Sequence, residues 1–230
     1  MKTPLAAVTA GFAVLIGSNA AIAAVLYNGL SIPSQTLAQQ GWMYLWSAVP
    51  PAPTAIATTN GTILDTSGTN ANYAGYFRQS PVTLDRIKGY TITFRVQINS
   101  ESHSSNNRAG FSMMAISNKL ANEQQPYGIE LSFWENSIWA QDVGFTRGEN
   151  VAYDTKASAK TYKLTVKDTN YQLSVTGIVA PILQGKLRQY TGFTPPPGYK
   201  NPYTTPNLLF LGDNTTSAKA KVTIVSVEVN

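Results

Sequence analysis

The sequence predicts an all-β fold of antiparallel strands, on three observations. Apolar and polar residues alternate with a period of two in several runs, most clearly in GYTITFRVQIN, where Ile92, Phe94, Val96 and Ile98 form one face and Thr93, Arg95, Gln97 and Asn99 the other. The runs are short and are bounded by Gly, Pro and Asn turn signals. The only helical candidates are one-turn pieces at Gln35 to Gln40 and Asn118 to Gln124. With no internal repeat at a solenoid or propeller period, a sandwich or barrel is the expected architecture.

The chain opens with an expected export signal. Lys2 supplies a positive start, Leu5 to Ile16 an apolar core, and Ala21-Ile22-Ala23 a small-residue cleavage motif, with cleavage expected after Ala23. The apolar stretch falls short of the roughly 20 strongly apolar residues of a membrane span, so no stable span is expected once the signal is cleaved. Residues 24–230 then suit one domain with an N-terminal arm, long enough to bury a core. There is no cysteine, so an exported domain would stand without disulfides. With a single histidine as well, most transition-metal sites are excluded. The net charge is +5, or +4 without Lys2, from only 13% charged residues. This mild excess suits solubility or attraction to acidic polysaccharide. No compact basic block is present, so nucleic acid is not an expected partner.

In chain order, Ala24 to Trp46, with Gly29, Pro33 and Gly41 punctuating short apolar patches, reads as an edge strand or arm followed by a strand around Trp42 to Trp46. AVPPAPTAIATT carries Pro50, Pro51 and Pro53 and is expected to be a loop. Thr62 to Asp65 is a short strand between Asn60-Gly61 and Ser67-Gly68. NYAGYFRQSPVTL places Tyr76 and Arg78 on one parity and Phe77 on the other. After GYTITFRVQIN, the polar loop SESHSSNN holds Glu101 and His103. DVGFTRGENVAYDTKAS reads as loop with one aromatic strand candidate. KTYKLTVKDTNYQLSVTG is a hairpin turning at Asp168-Thr169-Asn170. The segment GKLRQYTGFTPPPGYKNPYTTP is long, proline-rich and aromatic, as expected of a functional loop or a cover over one edge. Two more strands close the chain, the last with its apolar parity shifted at Val225.

Candidate functional residues concentrate between Arg108 and Gln141. Phe111 and Met113 alternate with Gly110, Ser112 and Met114, while Ile129, Leu131 and Phe133 alternate with Glu130, Ser132 and Trp134. One face is thus committed to the core and the other is available. The second face carries Arg108, Glu130, Trp134, Trp139 and Gln141, with Arg95 expected to join from a neighbouring strand. Trp134, Trp139, Tyr76 and Tyr127 could stack on sugar rings, and the polar members could bond hydroxyls or carboxylates. The same residues equally fit a structural role, with Arg108 and Glu130 as a buried ion pair.

Catalysis is less well supported. Retaining glycosidases place two carboxylates about 5 Å apart, whereas Glu130 and Glu135 sit five residues apart, which puts them on opposite faces of a continuous strand. Glu101, His103 and Glu149 form a second constellation if loops bring them to one rim, with His103 as base or metal ligand. A lyase motif is not evident. Asp213 and Asn214 could contact Ca²⁺, but their oxygens are too few to define a site and an Asx turn explains them. No cofactor is expected.

Together, GYTITFRVQI, SESH, RAGFS, GIELSFWENSIWAQ, FTRGEN, TYKLTV/YQLSV and LFLGDNTTSA resemble the exported bacterial concanavalin A-like lectin/glucanase domains of the choice-of-anchor type. The likeness runs from about Tyr73 to the end. It implies a jelly-roll sandwich of two curved antiparallel sheets, with sugars held on the concave sheet or at its rim. The sequence ends at Val227-Glu228-Val229-Asn230 with no apolar tail or sorting motif, so the expectation is release, or retention through protein contacts. The expected function is a secreted, non-catalytic module that binds a polysaccharide or cell-surface glycan. A polysaccharide-cleaving enzyme and a structural subunit of an extracellular assembly are the alternatives.

Overall fold

Every strand pairing in the structure, a computed structural model describing residues 23–195 and 200–230, is antiparallel. The export signal read at the N-terminus falls on residues 1–22 and so lies outside the described residues, apart from Ala23. The first sheet runs β13 (Leu183–Lys186), β12 (Asn170–Val175), β11 (Lys160–Lys167), β6 (Tyr90–His103), β15 (Ala218–Val229), β4 (Gly61–Asp65) and β3 (Thr54–Thr58). On the same side of β15 as β4, β1 (Ala24–Asn28) pairs with the last residues. The second sheet runs β10 (Arg147–Ala152), β9 (Ser137–Gln141), β8 (Gly128–Phe133), β7 (Ser112–Ile116), β14 (Leu208–Asp213), β5 (Ala74–Gln79) and β2 (Met43–Trp46). The two sheets form the predicted all-β sandwich.

The alternating residues build its interior. Ile92, Phe94, Val96 and Ile98 of β6 are buried in one core with Phe111 and Met113, and with Ile129, Leu131 and Phe133 of β8. Phe133 ties the layers together, packing edge-on against Phe94 at 6.2 Å and Tyr162 at 5.4 Å, and tilted against Phe111 at 5.6 Å. In β15, Val222 and Ile224 precede Val227 and Val229 inside the same core. A step of three can keep one face only if a residue bulges out, and the β15–β6 register shifts between Ile224 and Ser226.

Four local expectations change, the first at 100–103, read as polar loop, where β6 continues paired with β15. Thr54–Thr58 is strand β3 and not loop, because all three prolines precede it and Thr59-Asn60 turns the chain tightly into β4. Likewise, Arg147–Ala152 and Leu183–Lys186 are strands, whose sheet-edge pairings sequence periodicity does not reveal. At the two helical candidates, Ala38–Gln40 makes one 3₁₀ turn, while 118–124 is turn and bend. No helix among the described residues is long and apolar enough to cross a membrane.

Because Phe133 contacts aromatic rings from both sheets, Phe133→Ala should destabilise the domain by about 3–5 kcal/mol. Chemical denaturation monitored by circular dichroism checks this.

Candidate functional site

Strands β7, β8 and β14 are buried along their whole length, on both faces. One face is the sandwich core. On the other, Met114, Ile116, Leu208 and Phe210 form a second apolar cluster with Tyr190 and Tyr203. Those tyrosines belong to the proline-rich segment, whose described parts, 187–195 and 200–207, bring Tyr190 and Tyr203 over the sheet face rather than an edge. Arg188 fastens its start: backbone bonds to Gly128 run both ways at 2.8 Å, and the guanidinium pairs with Asp142 at 3.1 Å and with Glu149. Gly148 lets that guanidinium approach, since a Cβ there would collide with Arg188.

Tyr190 continues the attachment. Beyond Leu131↔Ala140 the β8–β9 ladder stops, and the Tyr190 hydroxyl takes the next rung. It accepts from the Glu130 N–H at 3.0 Å and donates to the Gln141 C=O at 2.9 Å, so both backbone groups stay satisfied in a dry setting. Tyr203 in turn donates its hydroxyl to Glu130 Oε2 at 2.5 Å. Burial first, and the adjacent Glu130 charge second, hold the Tyr203 phenol far above its usual pKa, so it remains a donor. Glu130 Oε1 accepts from Asn214 Nδ2 at 2.9 Å. Asn214 then presents its own carbonyl oxygens to Arg108, whose Nη2 donates to the side-chain Oδ1 at 3.0 Å and the backbone O at 3.2 Å. Arg108 and Glu130 are therefore linked through Asn214, not as a direct ion pair.

Between the sheet and this cover lies a cavity of about 240 Å³, walled by Phe77, Phe145, Phe193, Tyr203 and Phe210, with Met114 and Pro202 completing its apolar lining. Its polar lining consists of Arg108 and Asn214 beside the Tyr203 ring. Phe145 enters from the β9–β10 turn with φ of 57°, a left-handed conformation that costs a bulky residue on the order of 1 kcal/mol or more. Its ring is held 5.4 Å from Tyr203 and 5.9 Å from Phe193, and the Arg108 guanidinium lies 5.4 Å from its centroid.

Of the residues singled out in the sequence, Arg108 lines the cavity, while Glu130, Trp139 and Gln141 are buried at 1%, 0% and 0% exposure, Trp139 against Trp134 and the Arg147 guanidinium. Gln141 and Trp134 hold the loop that bears Arg108: Gln141 Nε2 donates to Asn107 O at 3.0 Å, and Trp134 Nε1 to Arg108 O at 2.9 Å. Trp134 is no open platform. His103 stacks parallel to it at 3.6 Å and the Arg147 guanidinium lies 4.2 Å from its centroid, and two groups so close must occupy opposite ring faces. Arg95 does not join this face. It lies on β6 in the first sheet and faces outward there, because a strand's parity does not disclose its sheet. Tyr76 is buried in the main core, and Tyr127 lies under the Arg86 guanidinium at 4.8 Å.

The expected rim constellation does not assemble. Glu101 and His103 meet at 3.0 Å, whereas Glu149 is engaged by Arg188 at the β10 edge. Glu135 sits in the β8–β9 turn, away from Glu130. Burial is the main cause raising the Glu101 pKa. At the end of β14 the expected Asx turn is present: Asp213 Oδ1 accepts from the Thr215 N–H at 3.1 Å, and its other oxygen accepts from the Thr66 hydroxyl at 2.8 Å. Burial without a bonded cation pushes Asp213 well above the usual carboxylate range. The cover residues Tyr190 and Tyr203 and the turn residue Phe145 were not identified individually from sequence. The only signal for the two tyrosines was the aromatic, proline-rich composition of 185–206, and Phe145 fell in the 142–158 stretch read as loop with one aromatic strand candidate.

No protein-family model and no curated protein sequence matches the chain. Solved structures are similar in fold. A protein of unknown function with a galectin-like fold from Bacillus subtilis is 12% identical, with a TM-score of 0.55, over 90% of this chain and 96% of that one. The carbohydrate esterase vb_24B_21 from the Shiga toxin-encoding bacteriophage phi24B is 14% identical, with a TM-score of 0.57, over 90% and 98%. The carbohydrate recognition domain of Emp46p is 9% identical, with a TM-score of 0.52, over 89% and 94%. These likenesses establish a lectin-like jelly-roll sandwich.

Two outcomes follow from the buried polar groups. Tyr190→Phe strands the Glu130 N–H and the Gln141 C=O, and should cost about 1–3 kcal/mol, with faster hydrogen exchange at the Glu130 amide. Asp213 has a raised folded-state pKa, so its ionisation opposes folding as pH climbs from the ordinary aspartate range through the folded value. The stability of Asp213→Asn relative to wild type should therefore rise between pH 4 and pH 7, measured by urea unfolding.

Proposed function

We propose that this protein is a secreted, non-catalytic carbohydrate-binding domain whose ligand site is the cavity lined by Arg108, Phe145, Phe193 and Tyr203. The observation that carries this is the concentration of aromatic rings around one guanidinium and one amide on an outer sheet face. Aromatic faces stack on the C–H surfaces of sugars, and a few fixed polar groups give orientation, the usual composition of a small-molecule site. The lectin-like fold supports this assignment, as does the fold shared with the Emp46p carbohydrate recognition domain. Export rests on the signal read at the N-terminus, and kinship with choice-of-anchor domains belongs to the same proposal.

A hydrolytic role is disfavoured by the lining itself. Among the described residues it holds no carboxylate and no histidine, and Glu130 behind it has both oxygens occupied and is 1% exposed. A retaining glycosidase needs two carboxylates facing one bond. Glycan-array binding by the wild-type protein, lost in Phe193→Ala while the thermal unfolding midpoint is retained, is the expected result. Equal binding by that variant, or no glycan bound at all, would overturn the site or the function respectively.

A further inference from the structure

The cavity has one charged side chain in its lining, and that charge lacks an ionic partner. Arg108 forms no salt bridge among the described residues, and residues 1–22 and 196–199 contain no Asp or Glu that could supply one. Its Nη2 is bonded to two neutral oxygens of Asn214. Nε and Nη1 have no protein acceptor among the described residues. The guanidinium plane is steadied by Phe145, and its loop is fastened from behind by Trp134 and Gln141. A half-buried guanidinium is thus fixed at an apolar wall with donors to spare.

From this geometry we infer that the cavity recognises a single ring bearing a carboxylate, namely a terminal uronic acid residue of a glycan. A ligand filling the cavity strips water from Arg108, and neutral hydroxyls compensate that loss poorly, whereas a carboxylate accepts a charge-assisted hydrogen bond from a guanidinium donor that Asn214 leaves free. Size sets the rest. At about 240 Å³ the space is below the roughly 300–1,000 Å³ of sites for larger ligands, so it admits one ring and not an extended chain. Phe145, Phe193 and Tyr203 supply faces for that ring. The mild positive charge of the protein favours approach of an acidic polymer.

This inference rests on the carbohydrate-binding proposal, and the test separates the two. The full chain is titrated calorimetrically with glucuronate, glucuronate methyl ester, glucose and benzoate. Glucuronate should bind at least about tenfold tighter than its ester or glucose, the difference expected of a charged hydrogen bond, and should weaken with added salt. Arg108→Gln should bring glucuronate down to the level of glucose, and Arg108→Lys should recover only part of the difference. The ester comparison uses wild-type protein alone, so it stands even if Arg108 variants misfold. Equal binding of glucuronate, ester and glucose would overturn the acidic specificity and leave carbohydrate binding intact. Binding of benzoate without glucuronate, or of none of the four, would overturn both.

Discussion

A single phenolic hydroxyl decides what the outer face of the second sheet can be. Where β8 and β9 part after Leu131 and Ala140, the Glu130 N–H and Gln141 C=O would be left unpaired under an apolar cover. The Tyr190 hydroxyl bridges them at 3.0 and 2.9 Å. Burying a peptide group unpaired is costly, so the cover can lie on the sheet only because it brings this bridge with it. The sheet and the chain around Tyr190 are consequently tied together beside the cavity.

From that contact a polar chain extends to the cavity: Tyr203 to Glu130, Glu130 to Asn214, Asn214 to Arg108. Each link satisfies one buried group and orients the next, so that the sole cation at the cavity is aimed without being neutralised. Trp134 and Gln141 fix the same loop from the opposite side. Residues with the composition of a binding surface thus act one step behind it. They hold the loop that bears Arg108.

Much of the candidate site was legible as chemistry but not as geometry. The alternation around Met113 and Leu131 correctly divided core-facing from outward-facing residues, and outward-facing Glu130, Trp139 and Gln141 do share one sheet face. Exposure was not legible, because a period of two states which side a residue occupies and not what lies on top of it. The proline-rich segment was recognisable only as a functional loop or a cover over one edge, and nothing local to Tyr190 or Tyr203 says that their hydroxyls land on Glu130, 60 and 73 residues away. Arg95 shows the converse error. Its outward direction is right, but sheet membership comes from β6 pairing with β11 and β15.

By itself the sequence determined the all-β class, the strand faces, the hairpin at Asp168-Thr169 and the parity shift near Val225, because these follow from local alternation and turn chemistry. Tertiary structure alone decided which strands share a sheet, that both faces of β7, β8 and β14 are dry, and that Arg108 is the cation at the cavity. The physical reason is the range of the interactions. Pleat and turn are set by neighbouring residues, whereas burial of an outward face and the pairing of its polar groups depend on chain segments brought together from far apart.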